Sequence, residues 1–208
     1  MSTFTHVKRK LPKERLLRDA GRRGLITARE TVTFGYHPEV IRRLVREGSV
    51  EQVARGTYRA MDHEPTAHHG LVVAALRVPR GVICLLSALA FHDIGTQQPA
   101  DVWLAIDRRD RRPSLYYPPL HIARFSGASL SSGIETHTIE GREVRIFGIA
   151  KTIADCFKYR GKIGLDVALE ALTDAVRARR VTIAEIDRYA AVCRVRNVMR
   201  PYLEALTA

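Results

Sequence analysis

Residues 24–60 read GLITARETVTFGYHPEVIRRLVREGSVEQVARGTYRA. This stretch predicts two short helices followed by a two-stranded ribbon. Pro38 can open a helix, because its missing N–H costs nothing at the first helical position, and His37 then takes the cap slot. From Pro38 to Glu47, Val40, Ile41, Leu44 and Val45 fall on one helical stripe, the period of a helix with one buried face. The opposite stripe carries Glu39, Arg42, Arg43 and Arg46. Gly48 is placed to end the helix, since glycine tolerates positive φ. Val50–Ala54 and Thr57–Ala60 then read as strands joined at Arg55-Gly56, a hairpin with a basic tip. A second helix presenting arginines, followed by a basic ribbon, is the winged form of the helix-turn-helix.

The flanks extend this picture. Residues 1–10 read as a basic arm, and Lys13–Arg23 as an amphipathic helix with Leu16, Leu17 and Ala20 inward. Ala28–Phe34 reads as the first helix of the turn motif, with Thr27 as its cap. The polar run Met61-Asp62-His63-Glu64-Pro65 is where a domain boundary is expected, giving a reader domain over 1–62 and a second domain over 63–208.

Charge follows the same division. Residues 1–60 hold 14 Lys/Arg against 6 Asp/Glu, and residues 61–208 hold 20 against 16, so the net +12 is concentrated in the reader. Such a concentration is the electrostatic footprint of a phosphate-contacting module. The plain alternative is that arginine dominates lysine throughout and that Arg42, Arg43 and Arg46 are a solvated face, with Glu39 pairing to Arg43. The N-terminal stretch lacks the apolar run of a secretory signal, and no segment approaches the length of a membrane span. A cytoplasmic location is therefore expected. Cys84, Cys156 and Cys193 are odd in number and far apart, and read as reduced core residues.

In the second domain, Thr66–Arg77 and Val82–His92 read as helices, Asp101–Asp107 and Leu120–Phe125 as strands. RRDRRPSLYYPP between the strands is too charged and proline-rich for anything but an exposed loop. Ile134–Ile139 and Glu143–Phe147 flank Glu140-Gly141-Arg142 as a hairpin. Helices are expected over Ala150–Tyr159, Leu165–Arg179, Ile183–Val192 and Asn197–Leu206, with Thr182 and Glu185 at capping-box spacing. The fold class expected is α+β: a winged helix-turn-helix, then a larger α+β domain ending in a helical bundle.

Catalytic and metal patterns are weak. His63, His68 and His69 lack the i, i+4 spacing of a two-histidine metal site. His92-Asp93 reads as a capped helix end. Asp101, Asp107 and Glu143 lie on or beside strands, but the residue two past Asp107 or Glu143 is arginine, which cannot serve as a base. Neither a phosphate loop nor a nucleophile elbow is present. No enzyme, cofactor or metal is expected. Lys158, Arg160 and Lys162 fall in a predicted Gly-flanked turn between two helices, which is either a plain connection or a basic docking surface.

Two stretches together resemble one family. LVREG (Leu44–Gly48) with ARGTYR (Ala54–Arg59) is similar to the N-terminal winged helix of AbiEi-type antitoxins of bacterial type IV toxin–antitoxin systems. AKTIADCFKYRGKIGLDVALEAL (Ala150–Leu172) is similar to the most recognisable motif of that family's second domain. Leu86–Ile94 and Ala123–Phe147 resemble it too. The resemblance implies an antitoxin that represses its own operon by binding promoter inverted repeats, and that neutralises a nucleotidyltransferase-like toxin without a stable complex. It places DNA reading on the helix Pro38–Glu47, with Glu39, Arg42, Arg43 and Arg46, and on the wing Arg55–Tyr58, with Arg55, Thr57 and Tyr58, while Tyr36 and His37 are expected at the helix start from their position in the sequence itself. It places antitoxin function on the second domain, where Lys151, Asp155, Lys158, Tyr159, Arg160 and Lys162 match the motif. Two alternatives stay open: a winged-helix protein whose second domain is a divergent metal-dependent nuclease, and an orphan transcriptional regulator without a toxin.

Overall fold

The structure is a computed structural model that describes residues 12–61 and 66–207. The basic arm of residues 1–10, most of the polar boundary segment and His63 lie outside the described residues. The chain is α+β, with ten helices and two sheets among the described residues. It divides into two compact units, Met1–His69 with Glu140–Arg142, and Gly70–Ile139 with Glu143–Ala208. His69 and the Glu140–Arg142 turn group with the first unit.

The first unit runs α1 (Pro12–Arg23), β1 (Leu25–Thr27), α2 (Ala28–Thr33), α3 (Pro38–Arg46), β2 (Val50–Ala54) and β3 (Thr57–Ala60). Its antiparallel sheet has the order β1-β3-β2, with Ile26 opposite Tyr58 and Gln52 opposite Tyr58 on the other side. Together these elements form a winged helix-turn-helix. Strand β1 escapes the sequence reading: three residues, two of them fully buried, are too short to show alternation. The caps are the expected ones. Thr27 Oγ1 accepts from the Glu30 N–H at 3.2 Å while the Glu30 carboxylate accepts from the Thr27 N–H at 2.8 Å, a reciprocal capping box. His37 Nδ1 accepts from the Glu39 N–H at 3.2 Å, with Pro38 at the first helical position. Leu16, Ala20, Ile26, Tyr36, Ile41, Leu44, Val50 and Ala60 form the core. Burying each of the larger aliphatics contributes about 1.5–3 kcal/mol.

In sequence Arg142 reads only as part of a turn; in the structure it is a tie. Within the first unit its guanidinium donates to both carboxylate oxygens of Glu30, one at 3.0 Å, and to the Leu25 carbonyl. Burial alone would raise the Glu30 carboxyl, but the bonds from Arg142 and Thr27 outweigh it and hold Glu30 below its usual range.

The second unit comprises α4 (His69–Arg77, entering from His69), β4 (Val82–Ile83), α5 (Leu85–Phe91), β5 (Val102–Asp107), β6 (Leu120–Phe125), α6 (Ala128–Ser131), β7 (Ile134–Ile139), β8 (Arg142–Phe147), α7 (Ile149–Ile163), α8 (Leu165–Arg177), α9 (Ile183–Val192) and α10 (Arg196–Thr207). The sheet order is β6-β5-β4-β8-β7; β4 is antiparallel to β5 and parallel to β8, and β5 is parallel to β6. Val102 to Ile106 are all buried, which places β5 among the strands covered on both faces.

Two sequence expectations change here. Val82–His92 is not one helix: Val82 and Ile83 form β4 at the centre of the sheet, and the helix starts at Leu85. A short apolar run does not by itself distinguish strand from helix, and here pairing on both sides decides. The helix expected over Ala150–Tyr159 runs from Ile149 to Ile163, so Lys158, Arg160 and Lys162 lie on it rather than in a turn. Gly161 is carried inside the helix at a cost of about 1 kcal/mol, and Gly164, at φ +97°, ends it. The second capping box forms at Thr182 and Glu185 as the spacing requires.

Candidate nucleic-acid interface

Helix α3 buries Ile41 and Leu44 and leaves Glu39, Arg42, Arg43 and Arg46 exposed. Glu39 does not pair with Arg43. Its two carboxylate oxygens take Arg42 at 3.4 Å and Arg46 at 2.6 Å, one turn and two turns along the same stripe. All three side chains are more than half exposed, and exposed pairs of this kind are worth roughly 0–1 kcal/mol. Glu39 therefore holds two guanidinium groups side by side at little cost. At the helix end Lys13 pairs with Glu47 and holds that carboxyl below its ordinary value.

The residues flanking this stripe separate into two groups. His37 is exposed, at the helix start, with Nδ1 occupied as the cap. Arg55 is exposed at the tip of the β2–β3 ribbon, where Gly56 takes φ +70°. Tyr36 and Thr57, by contrast, are buried at 8% and 1% exposure. The Tyr36 ring fills the core and its hydroxyl donates to Asp19 Oδ2 at 2.8 Å; burial, then Asp19, raise its pKa. Both side chains are thus part of the packing of the first unit, unlike the exposed His37 and Arg55. Tyr58 is half-buried and packs against the same core. Arg59, beside it, pairs with Glu51 at 2.7 Å.

In the second unit the motif residues fall into a buried and an outer set. Lys151 and Asp155, one turn apart on α7, are fully buried, with Nζ 2.5 Å from Oδ2. The Lys151 ammonium also lies 3.9 Å from the Phe147 ring centre and 5.0 Å from that of Phe125, an arrangement of cation over aromatic faces. Asp155 Oδ1 accepts from the Cys193 thiol at 3.1 Å. Burial pushes the Asp155 carboxyl up to about 6 against the opposing pull of Lys151. On the outer set, Lys158 Nζ donates to the Cys193 carbonyl at 2.9 Å and the Tyr159 hydroxyl to the Arg124 carbonyl at 2.7 Å. Arg160 caps the Phe157 carbonyl at 2.8 Å, and Lys162 sits 5.6 Å from the Tyr159 ring centre. Most of these side chains tie α7 to its surroundings. Sequence reading misses this, because an i, i+4 Lys–Asp pair has the same spacing on a wet face as in a core.

The remaining polar candidates are structural in placement. His69 Nδ1 lies 2.8 Å from Glu140, while the His92 ring, its pKa lowered by burial, donates from Nε2 to the Phe147 carbonyl at 2.8 Å. Among the described residues no three or more His, Cys, Asp or Glu side chains gather as a metal site, and none of the helices is long and apolar enough to cross a membrane.

Known proteins locate this architecture. The crystal structure of the RV2827C protein from Mycobacterium tuberculosis superposes with a TM-score of 0.63 at 14% identity, over 86% of this chain and 69% of that one. At that identity the likeness is one of fold. No curated protein matches the chain in sequence. Residues 14–60 match the family described as transcriptional regulator, AbiEi antitoxin. The segment that builds the winged helix is thus similar to the AbiEi antitoxin transcriptional regulator family.

Proposed function

We propose that the chain is a non-catalytic cytoplasmic antitoxin that represses its own operon through promoter inverted repeats. In this reading α3 enters the major groove, with Arg42, Arg43 and Arg46 divided between guanine edges and phosphates, and His37 at the helix start. Arg55 carries the wing to the neighbouring backbone. The second unit neutralises a nucleotidyltransferase-like toxin, without a stable complex. The observation that carries the DNA reading is the exposed arginine stripe of α3, where Glu39 bridges Arg42 and Arg46.

The test is titration of the full chain against its own promoter duplex over a salt series, beside Arg42→Ala/Arg46→Ala. Specific binding should weaken with a slope of roughly 0.9 per phosphate contact in log–log form, and the double variant should lose it. Salt-insensitive binding, or a double variant that binds as well as the parent, would reduce the stripe to solvated surface. Toxin neutralisation is tested by co-expression with the adjacent nucleotidyltransferase gene product: growth should recover, and the two proteins should elute separately.

A further inference from the structure

Between β5 and β6 the chain reads RRDRRPSLYYPP over residues 108–119. Arg108, Arg109, Arg111 and Arg112 are all exposed, and Tyr116 and Tyr117 are 100% and 42% exposed. A wholly exposed tyrosine is uncommon in itself, since the ring is usually half covered. Here it follows four arginines that have no carboxylate in ion-pair range among the described residues. The nearby acids are already engaged: Asp107 Oδ1 accepts from the Arg109 N–H at 2.9 Å, and Asp110 Oδ1 from Arg80 at 2.9 Å.

The loop is also held at both ends. Arg124, on the edge strand β6, donates to the carbonyls of Asp107 at 3.0 Å and of Arg108 and Asp110. At the far end Pro118 is buried, close enough to Gly70 that a methyl there would touch it at 3.6 Å, and the Pro119 carbonyl accepts from the Val102 N–H at 2.9 Å. Charge repulsion within the loop is thus maintained by a fixed base, and its rings are presented rather than folded away.

We propose that this loop is a binding site for single-stranded nucleic acid, with the arginines on backbone phosphates and Tyr116 and Tyr117 stacked on unpaired bases. Interleaved cations and exposed aromatic rings are the chemistry that recognises a single strand without reading its sequence. A duplex offers the phosphates but keeps its base faces inside the stack, so the tyrosines would be idle. An acidic peptide would use the arginines and likewise leave the rings unused. The inference does not rest on the winged-helix reading.

The experiment uses the full chain carrying Arg42→Ala/Arg46→Ala, which removes the contribution of α3. Fluorescence anisotropy follows labelled oligothymidylate and oligouridylate of about 20 nucleotides, longer than one site of this kind needs. Replacing the four loop arginines by glutamine should weaken binding at least about tenfold and flatten the salt dependence by roughly 0.7 for each phosphate no longer neutralised. Tyr116→Ala/Tyr117→Ala should weaken it about tenfold with the salt slope unchanged, and the Phe pair should restore it. Because these side chains are exposed, the variants should keep the parent's thermal midpoint, which checks folding. Duplex binding as tight as single-strand binding, with the Ala pair neutral, would overturn the proposal in favour of a general polyanion surface. So would capture of polyglutamate in preference to oligonucleotide, or binding indifferent to every loop variant. Promoter titration of the parent, run alongside, reports on α3 separately.

Discussion

Helices α3 and α7 both carry basic side chains spaced along one helix, and they use them in opposite ways. On α3, Arg42 and Arg46 stand in water and share one exposed glutamate. On α7, Lys151 and Asp155 are wholly enclosed, with aromatic rings and a thiol around them. The charges of α3 stand in solvent and contribute little to stability. Those of α7 are costly to desolvate and are tolerated only as a matched pair. Position in the fold, not residue type, decides whether a cation is a tool or a fixture.

The strongest way to break this contrast is to remove one half of the buried pair. Lys151→Met should destabilise the second unit by about 3–5 kcal/mol, with Asp155 left uncompensated, while Lys151→Met/Asp155→Leu should recover much of that loss. Thermal unfolding of the two variants decides it; a single variant as stable as the parent would place the pair in water. The pH dependence has a defined sign. Burial raises the Asp155 carboxyl from 3.8 to about 6, so the folded state holds its proton more tightly than the unfolded chain. That contribution favours folding below the unfolded value and is lost as pH rises through about 6. In Lys151→Met the raised value climbs further, so the variant should be closest to the parent in acid.

Next in size is Gly133→Ala. Gly133 sits at φ +73°, and an added methyl would meet Lys151 Cβ at 2.7 Å and Tyr189 Cε1 at 2.9 Å. Overpacking and backbone strain together should cost about 2–4 kcal/mol, read as a fall in the unfolding midpoint. Thr27→Ala, which opens the capping box of α2, should cost about 1 kcal/mol, confined to the first unit. Since Glu30 is held below its usual range by Arg142 and Thr27, its contribution should be present above 4.5 and lost as pH falls through the lowered folded value.

Smallest in stability is the arginine stripe. Arg42→Ala/Arg46→Ala should leave the midpoint within about 0.5 kcal/mol of the parent, and its effect should be confined to nucleic-acid binding. Glu39→Gln should sharpen the contrast further, tightening duplex binding a few-fold and steepening its salt dependence by releasing two guanidinium groups. A thermal loss from either change, rather than a binding effect, would mean the stripe is structural.

What can be read from sequence follows the same line. The winged helix is legible because its signals are local: Pro38 after His37, Gly48 after the last apolar residue, Arg55-Gly56 between two short strands. Thr27 as a cap and Thr182 with Glu185 as a capping box are likewise signals within four residues, and both form. The parts that are not legible depend on partners far along the chain. Val82 and Ile83 are a strand only because β5 and β8 flank them. Tyr36 faces inward, packed in the core with its hydroxyl on Asp19, 17 residues earlier. Two glycines near Lys158, Arg160 and Lys162 suggest a turn, yet helix α7 continues through Gly161.

The enclosure of Asp155 has a practical corollary in reagent chemistry. Cys84, Cys156 and Cys193 are all buried, burial pushes every one of their thiols above the ordinary value, and the first unit contains no cysteine. A thiol-reactive dye therefore has no target until the second unit opens. Its labelling rate is a clock for that unit alone, wound by the fold and needing no engineered probe.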